Sequence, residues 1–289
     1  MSASVLIHLL RERIFWRKQP RVPEPDLVME SVAQASSFSQ AGETGGVLAF
    51  LYLYNALQIT SVLRPGDRVL DLACGPANQL LQIAHLNPDM RFVGLDASPT
   101  MLERAQSTLA RAHVSNVELM QGDMIRLVNL EDASMDCVIC TMSLHHLQDQ
   151  TALCATLREV RRVLKPQGRF YLMDFGRLKL LRTQRFFADD LRQSAQFTED
   201  YFNSLRAAFS VEELSAAVAP LGPKMQRHVT VLAPFIVVFR SPFQRPMDPQ
   251  TLQRAKEAFA SLSAAHQDNF RSVASWFRIS SYALPCDLD

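Results

Sequence analysis

Charge of one sign is what this chain most clearly lacks. Its 289 residues carry 30 Lys and Arg against 29 Asp and Glu, a formal net charge of +1. So balanced a surface argues against a protein dominated by phosphate-backbone contacts, and no nucleic-acid partner is expected. Disulfide chemistry is missing as well. Five cysteines, odd in number and scattered, make no disulfide framework, so a reducing, cytoplasmic compartment is expected. No apolar run is long enough to span a bilayer, so no membrane span is expected. A secretory signal would carry its charges before its apolar run; here Val5-Leu6-Ile7 precedes Arg11, Arg13, Arg17 and Lys18. Residues 1–20 therefore read as a short amphipathic or disordered tail, with an organelle presequence or a partner-binding helix as alternatives. No internal repeat or low-complexity tract is evident. Hydrophobic residues make up 48% of the chain, ample for a core.

What is there is an ordered alternation of strands and helices. Arg21 to Pro25, with two prolines, reads as a linker, and residues 26–63 read as helical. Strands are expected at 68–72, 91–96, 116–121, 135–142 and 168–174, and helices at about 78–86, 99–112 and 151–164. This alternation implies a parallel sheet with helices on both faces. Ser98-Pro99 opens the second of these helices with a cap and a first-turn proline, and Lys165-Pro166-Gln167-Gly168 ends the third and turns into a strand. Residues 177–209 form a helical insertion, and Ser210-Val211-Glu212-Glu213 is a capping box. Two β-rich runs, 225–232 and 235–240, make an antiparallel hairpin. Two amphipathic helices follow, the first capped by Asp248-Pro249.

The expected fold is α/β: a doubly wound, mostly parallel, Rossmann-like sheet of seven strands closed by that hairpin. Residues 1–63 would be an N-terminal helical cap, 64–240 the ligand-binding domain and 241–289 a C-terminal helical extension. Within it, Val69-Leu70-Asp71-Leu72 runs into a tight turn at Cys74-Gly75 and a helix start, which builds a nucleotide-binding corner. Asp96 ends the next strand, where such a fold puts the carboxylate that holds ribose hydroxyls.

Five motifs in series carry a resemblance. Asp71 to Asn78, Gly94-Leu95-Asp96-Ala97-Ser98 with Met101-Leu102, Gly122-Asp123-Met124, Asp136 to Cys140 with Leu144-His145-His146-Leu147, and Arg162 to Gly168 stand in order over about residues 65–175. Together they resemble the class I S-adenosylmethionine-dependent methyltransferases, small-molecule type, with a distant likeness to the ubiquinone and menaquinone C-methyltransferases. The resemblance implies S-adenosylmethionine as cofactor and a small-molecule acceptor. Asp71, Ala73, Gly75, Asn78, Asp96, Ala97, Met101, Asp123, Met124 and Thr141 would then surround the cofactor. Asp96 would accept from the ribose hydroxyls and Asp123 from the adenine amine, with Met101 and Met124 on the ring. Asp71 would assist electrostatically or through water. The sequence departs from the family at Ala73 and Ala77, where glycines are usual. Alanine tolerates a close turn where φ is negative, so a slightly altered corner is expected.

Either His145 or His146, at the end of the fourth strand, could be a general base for an acidic hydroxyl or amine; the alternative is packing. No metal site is expected. Cys137 and Cys140 lie three apart on a strand and so face opposite sides, as core residues along with Cys74 and Cys154. Asp174-Phe175-Gly176 is the end of the fifth strand beside the substrate cleft. The run Arg177, Lys179, Arg182, Arg185 reads as a solvated face, or as a guide for an anionic substrate. Tyr52, Tyr54 and Asn55 would either cover the cofactor or pack in the core. Three functions stay open: methyl transfer to a small molecule, methyl transfer to a protein or peptide, and a non-catalytic binding or scaffold protein on the same fold. A homodimer through the C-terminal helices is a further possibility.

Overall fold

The computed structural model describes residues 3–16, 19–189, 193–278 and 282–288. Arg17 and Lys18 lie outside them. The chain runs α1 (Ala3–Ile14), α2 (Val32–Gly42), α3 (Ala49–Thr60), β1 (Arg68–Leu72), α4 (Asn78–Leu86), β2 (Arg91–Asp96) and α5 (Pro99–Arg111). It continues with β3 (Val117–Gln121), β4 (Met135–Thr141), α6 (Gln150–Val163), β5 (Leu164–Phe175), α7 (Leu181–Ala188), α8 (Ala195–Ala207) and α9 (Val211–Val218). The hairpin β6 (Gln226–Val229) and β7 (Ile236–Arg240) and the helices α10 (Pro249–Ser261) and α11 (Ala264–Arg278) complete it.

Sheet order is β3-β2-β1-β4-β5-β7-β6. Strands β1 to β5 are parallel, and β7 is antiparallel to both β5 and β6. Order reverses between β1 and β4, and a doubly wound sheet opens a crevice at the strand ends there. Successive strand residues alternate faces: Val69, Cys137 and Ile139 join one core cluster, Leu70, Val138 and Cys140 the other. Cys137 and Cys140 thus lie on opposite faces, buried, with Cys74 buried and Cys154 half-buried. Helices α6 and α9 cover one face; α3, α4, α10 and α11 share the core on the other.

The expected caps are present. Ser98 Oγ accepts from Met101 N, the Ser210–Glu213 capping box closes both ways, and Asp248 accepts from Gln250 and Thr251. Three expectations are corrected. Residues 3–14 are a docked helix rather than a loose tail, with Leu9 and Glu12 buried. Arg21 to Pro25 is not a spacer but a strap. The Arg21 guanidinium stacks 4.0 Å from the Phe209 ring and donates to the carbonyls of Ala207, His145 and Leu147. Lys165 to Gly168 does not precede the strand: β5 already starts at Leu164, and these four residues bulge from the ladder between the Leu164–Met135 and Arg169–Cys137 pairs. Pro166 and Gln167 are exposed, so water can satisfy the backbone that the bulge leaves out of the ladder.

The apolar stripes of α10 and α11 pack within the chain. Phe259, Phe270, Val273 and Phe277 join the core against α3, where Tyr54 stacks on Phe277 at 5.8 Å. Tyr54 is therefore a core residue. Asn55 donates to Gln79 Oε1 and ties α3 to α4.

Candidate functional site

The corner after β1 is built from three left-handed residues within five. Ala73 has φ 55°, Gly75 φ 54° and Ala77 φ 60°. Glycine adopts this at no steric cost; for each alanine it costs about 1–2 kcal/mol. The expectation of negative φ at the alanines is wrong: the turn keeps the shape that glycines would give it and carries the strain. Surrounding bonds over-determine it. Cys74 N donates to Leu95 O at 3.0 Å, Ala77 N to Cys74 O at 3.1 Å, and Gly75 N to Asp96 Oδ2 at 2.8 Å.

Asp96 ends β2, mostly buried. Its Oδ1 accepts from Ser98 N at 2.9 Å, so each oxygen holds one backbone N–H and keeps a lone pair for something else. Burial raises its pKa against those bonds, which lower it. Asp71, mid-strand on β1, is buried, and among the described residues nothing donates to its carboxylate. Burial first, then the charge of Asp96, push its pKa well above the ordinary carboxylate range. The corner thus holds two close carboxylates with no cation opposite them among the described residues.

Seven of the expected residues line one cavity of about 290 Å³: Ala73, Gly75, Asp96, Ala97, Met101, Asp123 and Met124. Asp123 is exposed, with one oxygen accepting from Ile125 N at 2.8 Å. Asp71, Asn78 and Thr141 do not line it. Asn78 Nδ2 donates to Ser39 O at 2.8 Å and fixes α2 to α4. Thr141 pairs with Met173, and its carbonyl accepts from Ser143 Oγ. The strap closes the other side: Leu27, Val28 and Met29 line the cavity, and Ser98 Oγ donates to Met29 O at 2.7 Å.

A second cavity, again about 290 Å³, adjoins it. Its wall is aromatic, with Phe175, Phe187, Phe197, Tyr201, Phe235 and Trp276; Tyr52 also lines it, so α3 covers this cavity rather than the first. Met29, Phe38, Met142 and His146 line both cavities, so the two meet at these side chains.

The two histidines sit at that junction in a 3-10 turn, Leu144–His146, after β4. Asp174, near the end of β5, accepts His145 Nδ1 at 2.6 Å and His145 N at 2.8 Å. His145 Nε2 lies 3.6 Å from Glu24 Oε1 and His146 Nδ1 3.8 Å from the same oxygen. Glu24 itself accepts from Ser204 Oγ at 2.7 Å. Burial lowers the His145 pKa, but Asp174 and Glu24 outweigh it and the net shift is upward. His146 goes the other way: burial, then the charge of His145, hold it well below the ordinary imidazole range. Burial raises Glu24, against the His145 charge. The environment therefore drives the pair apart, favouring the charged form of His145 and the neutral form of His146. The neutral one has a buried Nδ1 with no hydrogen-bond partner among the described residues. The donors of Glu24, His145 and His146 lie within 4.8 Å of one another, a spacing that could also hold a cation.

Sequence reasoning missed Glu24 and Arg21. No local signal marks either, since both sit in a proline-bearing stretch without periodicity. Asp174 was seen only as a strand end. Of the basic run, Arg177 is not on a solvated face; it pairs with Glu213 and donates to Ala208 O.

A family model described as a methyltransferase domain matches residues 63–217. The chain is 34% identical over 113 residues to the 27-O-demethylrifamycin SV methyltransferase of Amycolatopsis mediterranei, covering 39% of this chain and 40% of that one. It is equally 34% identical over 113 residues to a demethylmenaquinone methyltransferase of Listeria monocytogenes, covering 39% and 46%. The chain spans less than half the length of these curated relatives. Among solved structures, a putative S-adenosyl-L-methionine-dependent methyltransferase from Methanococcus maripaludis superposes with a TM-score of 0.56 at 19% identity, over 78% of this chain and 99% of that one. A Haloferax volcanii complex of the Trm112 activator with a putative methyltransferase gives 0.51 at 16% identity, over 72% and 95%. At these identities the structural likeness is one of fold.

Proposed function

The chain belongs to the class I S-adenosylmethionine-dependent methyltransferases, and from that we propose that it methylates a small-molecule acceptor by direct displacement. The observation that carries the acceptor class is the pair of cavities meeting at Met142 and His146. An aromatic-walled chamber beside the cofactor cavity suits a compact apolar molecule better than a peptide.

The residues present fit the cofactor. Two buried carboxylates without a cation, Asp71 and Asp96, complement a molecule that carries a sulfonium and an ammonium. When bound, S-adenosylmethionine supplies a methyl group on a positively charged sulfur that leaves as a neutral thioether. Asp96 would use its spare lone pairs on the ribose hydroxyls. Met101 and Met124 would flank the adenine and Asp123 accept from its amine. Asp71 would contribute through its charge. The left-handed alanines favour the enzyme over the scaffold, because they keep the glycine-type corner.

The chain's own work is alignment and proton handling. Neutral His146, at the shared wall, would take the proton of an acceptor hydroxyl. His145, clamped between Asp174 and Glu24, would orient its neighbour and hold it neutral. The aromatic wall would exclude water. We also propose the division into a cap (1–63), a core (64–240) and an extension (241–289), supported by the cap and extension residues that wall the second cavity.

Calorimetry with S-adenosylmethionine and with its demethylated product tests the first step, and both should bind. If neither does, the enzyme reading fails. Binding without methyl transfer to any member of a panel of phenols, quinols and aromatic amines would return the scaffold reading.

A further inference from the structure

The outer surface of α1 does not belong to the fold's own core. Its inner side docks firmly. Leu9 is buried, His8 stacks on Phe186 at 4.1 Å, and Glu12 accepts from Lys179 N at 2.6 Å and Leu180 N at 2.9 Å. That anchoring fixes which side faces out. Ile7, Leu10 and Ile14, spaced three and four apart, share the outward stripe with Leu6, and Phe15 and Trp16 extend it. Ile14 is 77% exposed and Trp16 80%. Six of the eleven large apolar side chains exposed among the described residues fall in these positions, so the patch is a concentration and not scatter.

Its rim is basic. Arg11 and Arg13 are exposed on α1, and Arg182 is exposed on α7. Arg11 and Arg182 both act on His8 by their charge, which puts them on one side of the molecule. The acid of α1, Glu12, is buried and spent on backbone N–H groups. No helix of the described residues is long and apolar enough to cross a membrane. Exposed aliphatic residues with an indole at the end, interleaved with arginine and carrying no exposed acid, have the chemistry of a helix lying in a bilayer interface.

We propose that α1 and the residues after it bind the surface of an anionic lipid bilayer. The charge argues for lipid over a second copy of the chain, because two such patches face to face would set arginines against arginines. The location is apt. Phe186 packs under α1, and the next residue, Phe187, lines the aromatic cavity, so neighbouring residues of α7 face the bilayer-binding helix and the chamber.

Vesicle cosedimentation of the full chain, without cofactor, tests this independently of any methyl transfer. The chain should pellet with phosphatidylcholine vesicles that contain phosphatidylglycerol, less with phosphatidylcholine alone, and less as salt rises. Ile14→Glu and Trp16→Glu should each weaken partitioning by about tenfold or more. Ile14 is exposed, so the melting temperature of Ile14→Glu should match the parent. Reversing Arg11 and Arg13 to Glu should abolish the preference for anionic vesicles. The proposal is overturned if the chain stays in the supernatant with anionic vesicles, or if these variants pellet as the parent does. A dimer in sedimentation equilibrium that Ile14→Glu dissolves would overturn it too, because the patch would then be a contact between copies.

Discussion

Replacing Asp96 by alanine separates two energies that the structure lets one count. In the free protein the carboxylate holds the N–H groups of Gly75 and Ser98 at 2.8 and 2.9 Å. Each orphaned buried N–H costs about 1–3 kcal/mol, less whatever water recovers, so the variant should melt several degrees lower. The spare lone pairs are the proposed ribose acceptors. Two hydrogen bonds to a charged acceptor contribute about 1.5–3 kcal/mol each, so losing both weakens cofactor binding by about 10² to 10⁴. Calorimetric titration well below the variant's melting temperature reads the second effect without the first. Asp96→Asn, which keeps a carbonyl acceptor but not the charge, should fall between parent and alanine. A dissociation constant within about threefold of the parent in folded Asp96→Ala would refute the assignment of this carboxylate to the ribose, since even one such bond is worth about a factor of ten.

Asp71 makes a linked prediction about protons. Its raised pKa means that the folded apo chain keeps a proton the unfolded chain gives up, a contribution present below the unfolded value of 3.8 and lost as pH rises through the folded value. Apo melting temperature should therefore decline more across that window in the parent than in Asp71→Asn, and cofactor binding should release protons, seen by calorimetry in buffers of different ionisation enthalpy; equal release in Asp71→Asn would count against it. His146→Ala should cut turnover by about 10² to 10⁴, far more than it weakens cofactor binding, and the acid limb of the parent's pH–rate profile should lie below the ordinary imidazole range; full turnover would reduce the residue to a wall. Ala73→Gly should raise stability by about 0.5–1 kcal/mol, the relief of left-handed strain less the extra freedom of glycine in the unfolded chain, and a lower melting temperature would contradict the φ of 55°. Asp67 and Arg169 form a buried ion pair at 2.6 Å, so Asp67→Ala should cost about 3–5 kcal/mol in a denaturant titration, and a loss under 1 kcal/mol would show the pair to be solvated.

The strands, their order of appearance and the helices between them were legible because each rests on its neighbours in sequence. A short, nearly continuous apolar run, buried throughout, marks Val69 to Leu72, a cap and a proline mark Ser98-Pro99, and a reciprocal pair marks Ser210 and Glu213. Asp96 and Asp123 were legible for the same reason: they sit at strand ends, and a doubly wound sheet brings those ends to one crevice. The cluster of histidines and carboxylates was not. Glu24, His145, Asp174 and Ser204 come from a strap, a 3-10 turn, a strand and a helix that meet only once the chain has folded.

The sequence by itself determined the fold class, the corner after β1 and the carboxylates around it, since these follow from periodicity and turn chemistry within short windows. The tertiary structure decided that two alanines take a glycine's conformation, that a presumed linker carries Glu24 to the histidines, and that the first helix buries Leu9 and turns Leu6, Ile7, Leu10 and Ile14 outward. Each of these is settled by packing between distant segments. The partner that orients a side chain, or strains it, lies too far along the chain for local pattern to report.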